Sequence, residues 1–88
     1  MGSYSVILKP SVEKDLRGLP RAIVARVMKR VEALRTEPLA RGAVKLSGSR
    51  GLYRIRVGDY RIVYEVDSPA GELIVHYVRH RREVYRPL

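Results

Sequence analysis

Residues 51–66 constrain this chain more tightly than any other stretch. Two segments of alternating apolar and polar residues, 52–57 and 60–66, flank the dipeptide Gly58-Asp59. That pattern predicts a β-hairpin with a two-residue turn. Pairing Val57 with Tyr60 sets Arg56 opposite Arg61, Ile55 opposite Ile62, Arg54 opposite Val63 and Tyr53 opposite Tyr64. Tyr53, Ile55, Val57, Tyr60, Ile62 and Tyr64 then share one face, and Arg54, Arg56 and Arg61 share the other. Like charges directly opposite each other across a ladder are destabilising. A hairpin that keeps Arg56 facing Arg61 therefore points to an anion bound on that face, with a plainly solvated sheet face as the alternative.

The flanking sequence supplies the other elements. Residues 4–9 read as a short strand ended by Pro10. Ser11 is the expected N-cap of a short helix over 12–18, with Glu13 and Asp15 in its first turns to suit the helix dipole. Pro20 fits the first position of a second helix, in which Ile23, Val27, Val31 and Leu34 recur at helical spacing as a core-facing stripe. That helix must end before Pro38. Residues 38–50 read as a loop broken by Gly42 and Gly48, and 67–71 as a turn. Residues 72–78 form a further strand, apolar on both faces and so expected inside the sheet. A tail, 79–88, follows. This order predicts one α+β sandwich domain over residues 1–88. It has an N-terminal strand, two helices on one face of an antiparallel sheet, three consecutive strands and a short C-terminal tail. The Tyr/Ile face packs on the helices and the arginine face is left open to solvent.

The formal charge of +9 implies a polyanionic partner. Arginine outnumbers lysine, and guanidinium groups hold phosphate bidentately and stack on bases, which favours nucleic acid. Adaptation to high temperature or a GC-rich genome would also enrich arginine. A hydrophobic share of 45% argues against wholesale disorder, and the absence of cysteine leaves no thiolate metal site or disulfide framework. No apolar run is long enough to span a bilayer, so a cytoplasmic protein without a membrane partner is expected.

Three groups of residues could carry chemistry. Arg54, Arg56 and Arg61 set preorganised cations on one rigid face, a means of stabilising a phosphorane-like transition state. In the tail, Tyr85 lies four residues after Arg81, one helical turn away, and can stack on a base or exchange a proton. His80 is of the residue type most often used as a general base, although a strand-end packing role suits it better. His76, within an apolar strand, reads as a core histidine. The carboxylates show no metal-ligand spacing and there is no glycine-rich phosphate loop, so neither a metal nor a small-molecule cofactor is expected.

The segments 45–48 (Lys-Leu-Ser-Gly), 52–64 and 78–85 (Val-Arg-His-Arg-Arg-Glu-Val-Tyr), together with Glu13-Lys14-Asp15-Leu16 and Leu19-Pro20, resemble the RelE toxins of prokaryotic toxin–antitoxin pairs over nearly the whole chain. The resemblance implies a ribosome-dependent endoribonuclease, an mRNA interferase, that cuts mRNA without metal by attack of a ribose 2′-hydroxyl on the adjacent phosphate. It also implies a RelB-like acidic antitoxin as partner, beside the ribosome and mRNA. By motif position, Arg54, Arg56, Arg61, Arg81 and Tyr85 match the family's catalytic positions, and Lys45, Arg50, Arg79 and Arg82 fit RNA or ribosome contact. Some members carry lysine where Arg54 and Arg56 stand. Arginine keeps its proton, so here those positions suit phosphate binding rather than proton transfer. ParE toxins, which share the fold and inhibit DNA gyrase, are the alternative.

Overall fold

The computed structural model describes residues 3–46, 48 and 51–80. The expectations for Arg50, Arg81, Arg82 and Tyr85 fall outside the described residues. Within them the chain runs β1 (Ser5–Leu8), α1 (Pro10–Arg17), α2 (Arg21–Leu34), β2 (Val44–Lys45), β3 (Leu52–Val57), β4 (Tyr60–Asp67) and β5 (Glu72–His80). The sheet order is β1-β5-β4-β3-β2.

The hairpin forms in the register its alternation dictates, with Arg56 opposite Arg61 and Val57 opposite Tyr60. Gly58 takes φ +59°, a left-handed conformation that the turn requires and that glycine adopts without strain. Ile55, Val57, Ile62 and Tyr64 are buried against Val27, Val31 and Leu34 of α2 and Val12 of α1. Burying each such side chain stabilises the fold by roughly 1.5–3 kcal/mol, so the stripe on α2 and the Tyr/Ile face of the hairpin find each other.

Several expectations need correction. Pro20 is the N-cap of α2 rather than its first helical residue. Strand β5 runs on to His80, where a tail from residue 79 is expected. His76 is partly exposed rather than a core residue. The sheet is mixed rather than antiparallel, because β1 lies parallel to β5, with Leu8 beside Val75. Parallel neighbours need a long crossover, and the two helices together with β2–β4 supply it. The loop over 38–50 contains β2, whose Val44 and Lys45 pair with Arg54 and Tyr53. Helix α1 starts at Pro10 rather than after a Ser11 cap, and Lys9 is the N-cap. Proline's fixed φ suits the first helical position, where its missing N–H is no loss. Ser11 instead donates its hydroxyl to the His76 carbonyl at 2.8 Å. Finally, the arginine face is only partly open: Arg54 and Arg61 are half-buried, and Val63 between them is 2% exposed.

Strand β5 lies inside the sheet, as its composition implies, and carries a bulge. Val63 pairs with Tyr77 and Tyr64 with Val75, so His76 is the extra residue. A bulge adds one residue to one strand and shifts the alternation beyond it. Leu73 and Val75 therefore join the core before it, and Val78 after it. Some of the two-faced apolar character of this strand is thus a single core face that changes parity. His76 sits beside Glu65, Nε2 to Oε1 2.9 Å.

Candidate active site

Strands β3 and β4 give the site its floor. Arg54 and Arg56 alternate with core residues along β3, Arg61 lies across from Arg56, and Arg79 of β5 lies across from Arg61. The register thus sets Arg56, Arg61 and Arg79 in one row over three neighbouring strands, spanning two strand spacings or about 9.5 Å. Arg54 stands in the next row, between Val44 and Val63.

The wall comes from another part of the chain. Gly42 and Val44 close one side of a cleft of about 160 Å³ whose other lining residues are Arg54, Arg56 and Arg61. Two long-range hydrogen bonds fix that wall. Arg30 of α2 donates from Nη2 to the Arg41 carbonyl at 3.0 Å, and Tyr64 donates its hydroxyl to the Pro38 carbonyl at 2.7 Å. Burial pushes the Tyr64 phenol up to about 12, with nearby Tyr53 adding to the shift and Arg30 opposing it. Tyr64 therefore stays neutral and keeps its hydrogen for Pro38. Gly42 adopts φ +95°, which a side chain at that point of the wall would strain.

The arginines differ in their surroundings. Arg56 is exposed and donates from Nε to the Gly58 carbonyl at 2.7 Å, which draws its guanidinium over the turn. Some of the expected repulsion with Arg61 is relieved in this way. Arg61 is half-buried, with its Nε shut off from water. Arg79 lies with its guanidinium carbon 4.7 Å from the Tyr77 ring centroid, a cation–π contact, and its Nε is 4.0 Å from Asp15 Oδ2. Convergent guanidinium groups beside a small apolar wall can hold a phosphate and stabilise charge that develops on it.

The structure brings Arg54, Arg56 and Arg61 to one cleft, while Arg79 shares their face by register and lines a separate hollow beside α1 with Lys14 and Asp15. It does not bring Lys45 to that face, since Lys45 points the same way as its partner Tyr53 and so lies on the helix side of the sheet. His80 is also on that side, edge-on to Tyr60 with centroids 5.4 Å apart. Gly42 and Val44 were missed by sequence reasoning. The one signal for them is a short apolar–basic–apolar run, Val44-Lys45-Leu46, ahead of the hairpin. Among the described residues no three His, Asp or Glu side chains cluster as a metal site would need, and no helix is long and apolar enough to cross a membrane.

The chain is similar to known proteins over nearly its whole length. The profile of the ParE toxin of the type II toxin–antitoxin system parDE matches residues 6–85. Toxin RelG of Mycobacterium tuberculosis is 31% identical over 84 residues, covering 94% of this chain and 97% of its own. Among solved structures, the toxin–antitoxin complex RelBE2 of M. tuberculosis aligns with a TM-score of 0.81 at 31% identity, over 92% of this chain and 94% of the matched one. The archaeal RelE–RelB complex of Pyrococcus horikoshii aligns with a TM-score of 0.80 at 32% identity, over 90% and 96%.

Proposed function

The chain belongs to the ParE/RelE family of type II toxin–antitoxin toxins, and from that premise we propose that it is a ribosome-dependent mRNA interferase. The observation that carries this reading is the cleft that Arg54, Arg56 and Arg61 line together with Gly42 and Val44. A surface made only to grip a protein has no need of several guanidinium groups in adjoining ladder positions, where they repel one another.

In the proposed reaction a ribose 2′-oxygen attacks the adjacent phosphorus in line, and the bond to the 5′-oxygen breaks. The products are a 2′,3′-cyclic phosphate and a 5′-hydroxyl, and no metal takes part. Arg54 and Arg61 hold the non-bridging oxygens and stabilise their growing charge. Arg56, nearer the solvent, binds the phosphate more loosely. Arg81 supports the leaving oxygen, and Tyr85 stacks on the nucleotide or helps to activate it. The 2′-hydroxyl proton leaves to a base other than these arginines, since a guanidinium has no lone pair free to accept it, and the leaving 5′-oxygen takes up a proton from solvent. The ribosome supplies orientation, since arginines alone bind phosphate without aligning a flexible 2′-hydroxyl. Arg50, Arg79 and Arg82 extend the cationic surface toward RNA.

In this reading the protein acts in the cytoplasm, and a RelB-like acidic antitoxin neutralises it. Solved relatives include RelBE complexes, and the charge of +9 suits an acidic partner that binds quickly through electrostatic steering. The match to the ParE profile favours a second reading, inhibition of DNA gyrase without nucleolysis. Primer extension on mRNA incubated with the protein, with and without programmed ribosomes, decides between them. Cuts confined to ribosome-bound message support the proposal. Equal cutting of naked RNA removes the ribosome dependence, and gyrase inhibition with uncut message establishes the second reading.

A further inference from the structure

We propose that Asp15, on α1, is a positioning residue that holds Arg79 in the arginine row; its role in catalysis rests on reading that row as the RNA surface. The pairing of β1 with β5 stops at Val75, while β5 continues to His80. Beyond that point α1 takes the place of a neighbouring strand. Ser11 Oγ donates to the His76 carbonyl at 2.8 Å, and the Val78 N–H donates to Asp15 Oδ2 at 3.1 Å. Two side chains, one helical turn apart, thus meet the backbone groups that a strand would have met.

The same carboxylate oxygen that takes the Val78 N–H lies 4.0 Å from Arg79 Nε. Asp15's side chain is 20% exposed and Arg79's is 33% exposed, so their attraction is less screened than that of a surface pair. A carboxylate here has two effects on the row Arg56–Arg61–Arg79. It offsets some of the repulsion among three cations in cross-strand register. It also limits the swing of a long side chain whose other neighbour is the Tyr77 ring. Without it only the Tyr77 ring still directs Arg79.

Asparagine and alanine separate this role from a structural one. Asp15→Asn keeps an oxygen for the Val78 N–H and removes the charge beside Arg79, whereas Asp15→Ala removes both. The first readout is the Arg79 Nε–H signal in nitrogen-resolved NMR of the free protein. It should shift and exchange faster with solvent in Asp15→Asn, while the backbone signals of β5 stay in place. The second is ribosome-dependent mRNA cleavage in a double-mutant cycle with Arg79→Ala. Asp15→Asn should raise KM about two- to five-fold with kcat little changed, as expected for a partly exposed ion pair. In an Arg79→Ala background it should change nothing further.

A KM effect of equal size with and without Arg79 means that Asp15 acts through the fold, and overturns the proposal. An Arg79 signal identical in wild type and Asp15→Asn overturns it whatever the cleavage result. A shifted signal in a chain that cuts no message upholds the hold on Arg79 and overturns the nuclease reading instead.

Discussion

Truncating Arg61 and truncating Arg56 should have very different consequences, although the two residues face each other in the ladder. A guanidinium about 4 Å from a phosphate charge is worth about 4 kcal/mol at the effective dielectric near a protein surface, and about 1 kcal/mol in bulk water. Arg61 is half-buried with its Nε away from water, which places it near the first limit. Arg56 is exposed and has one donor committed to Gly58, which places it near the second. Arg61→Ala should therefore lower the cleavage rate on programmed ribosomes by about 100- to 1000-fold. Arg56→Ala should lower it about five-fold, the rate equivalent of about 1 kcal/mol. Stability should separate the two as well. Losing Arg61's half-buried stem should cost about 1 kcal/mol, and losing the exposed Arg56 less than about 0.5 kcal/mol. Quantitative primer extension gives the rates, and urea unfolding confirms that each variant is folded. The reasoning fails if Arg61→Ala is folded, ribosome-bound and fully active, or if Arg56→Ala loses as much rate as Arg61→Ala.

Three further outcomes are expected. Between pH 10 and about 12 the unfolded chain releases the Tyr64 proton while the native state retains it. Stability should therefore fall with rising pH across that window, and urea unfolding of Tyr64→Phe should lack that component. Gly51→Ala should destabilise by about 1–2 kcal/mol: Gly51 has φ +67°, and a Cβ there would lie 3.0 Å from the Val66 carbonyl, which cannot move while the Val66 N–H is bonded to Gly51 at 2.9 Å. Binding of uncleavable single-stranded RNA should weaken with salt with a log–log slope of about −2 or steeper, since Arg54, Arg56 and Arg61 alone displace counterions at about 0.7 per contact and the other cations add to them. A slope near zero in an anisotropy titration would contradict phosphate binding by this face.

The hairpin register was readable from sequence because a period of two and a two-residue turn leave no slack, since a slip of one residue would turn every core side chain outward. The α2 stripe was readable for the same kind of reason, and Val27, Val31 and Leu34 are buried as their spacing implies. Other features depend on contacts between distant residues. A two-residue strand such as β2 is too short to show periodicity, so Val44 and Lys45 looked like loop and the face assignment of Lys45 was lost. The bulge at His76 leaves no mark in composition, and it alone decides that Val78 faces the core and Arg79 the arginine row. The cleft wall depends on Arg30 reaching Arg41 and Tyr64 reaching Pro38, bonds that join α2 and β4 to one loop. The floor of the site was thus legible, and the wall was not.

That division bears on how such a cleft can diversify. The cations stand on a ladder whose every position is tied to the core, so a length change there would misplace them all. The wall is a loop leading into the two-residue strand β2 and held at two backbone carbonyls, Pro38 and Arg41, and a carbonyl is present whatever side chain accompanies it. Residues around Gly42 and Val44 can be exchanged while both anchors persist. Charge recognition and cleft shape therefore belong to separately heritable stretches of the chain, and a descendant can acquire a differently shaped cleft without giving up its grip on phosphate.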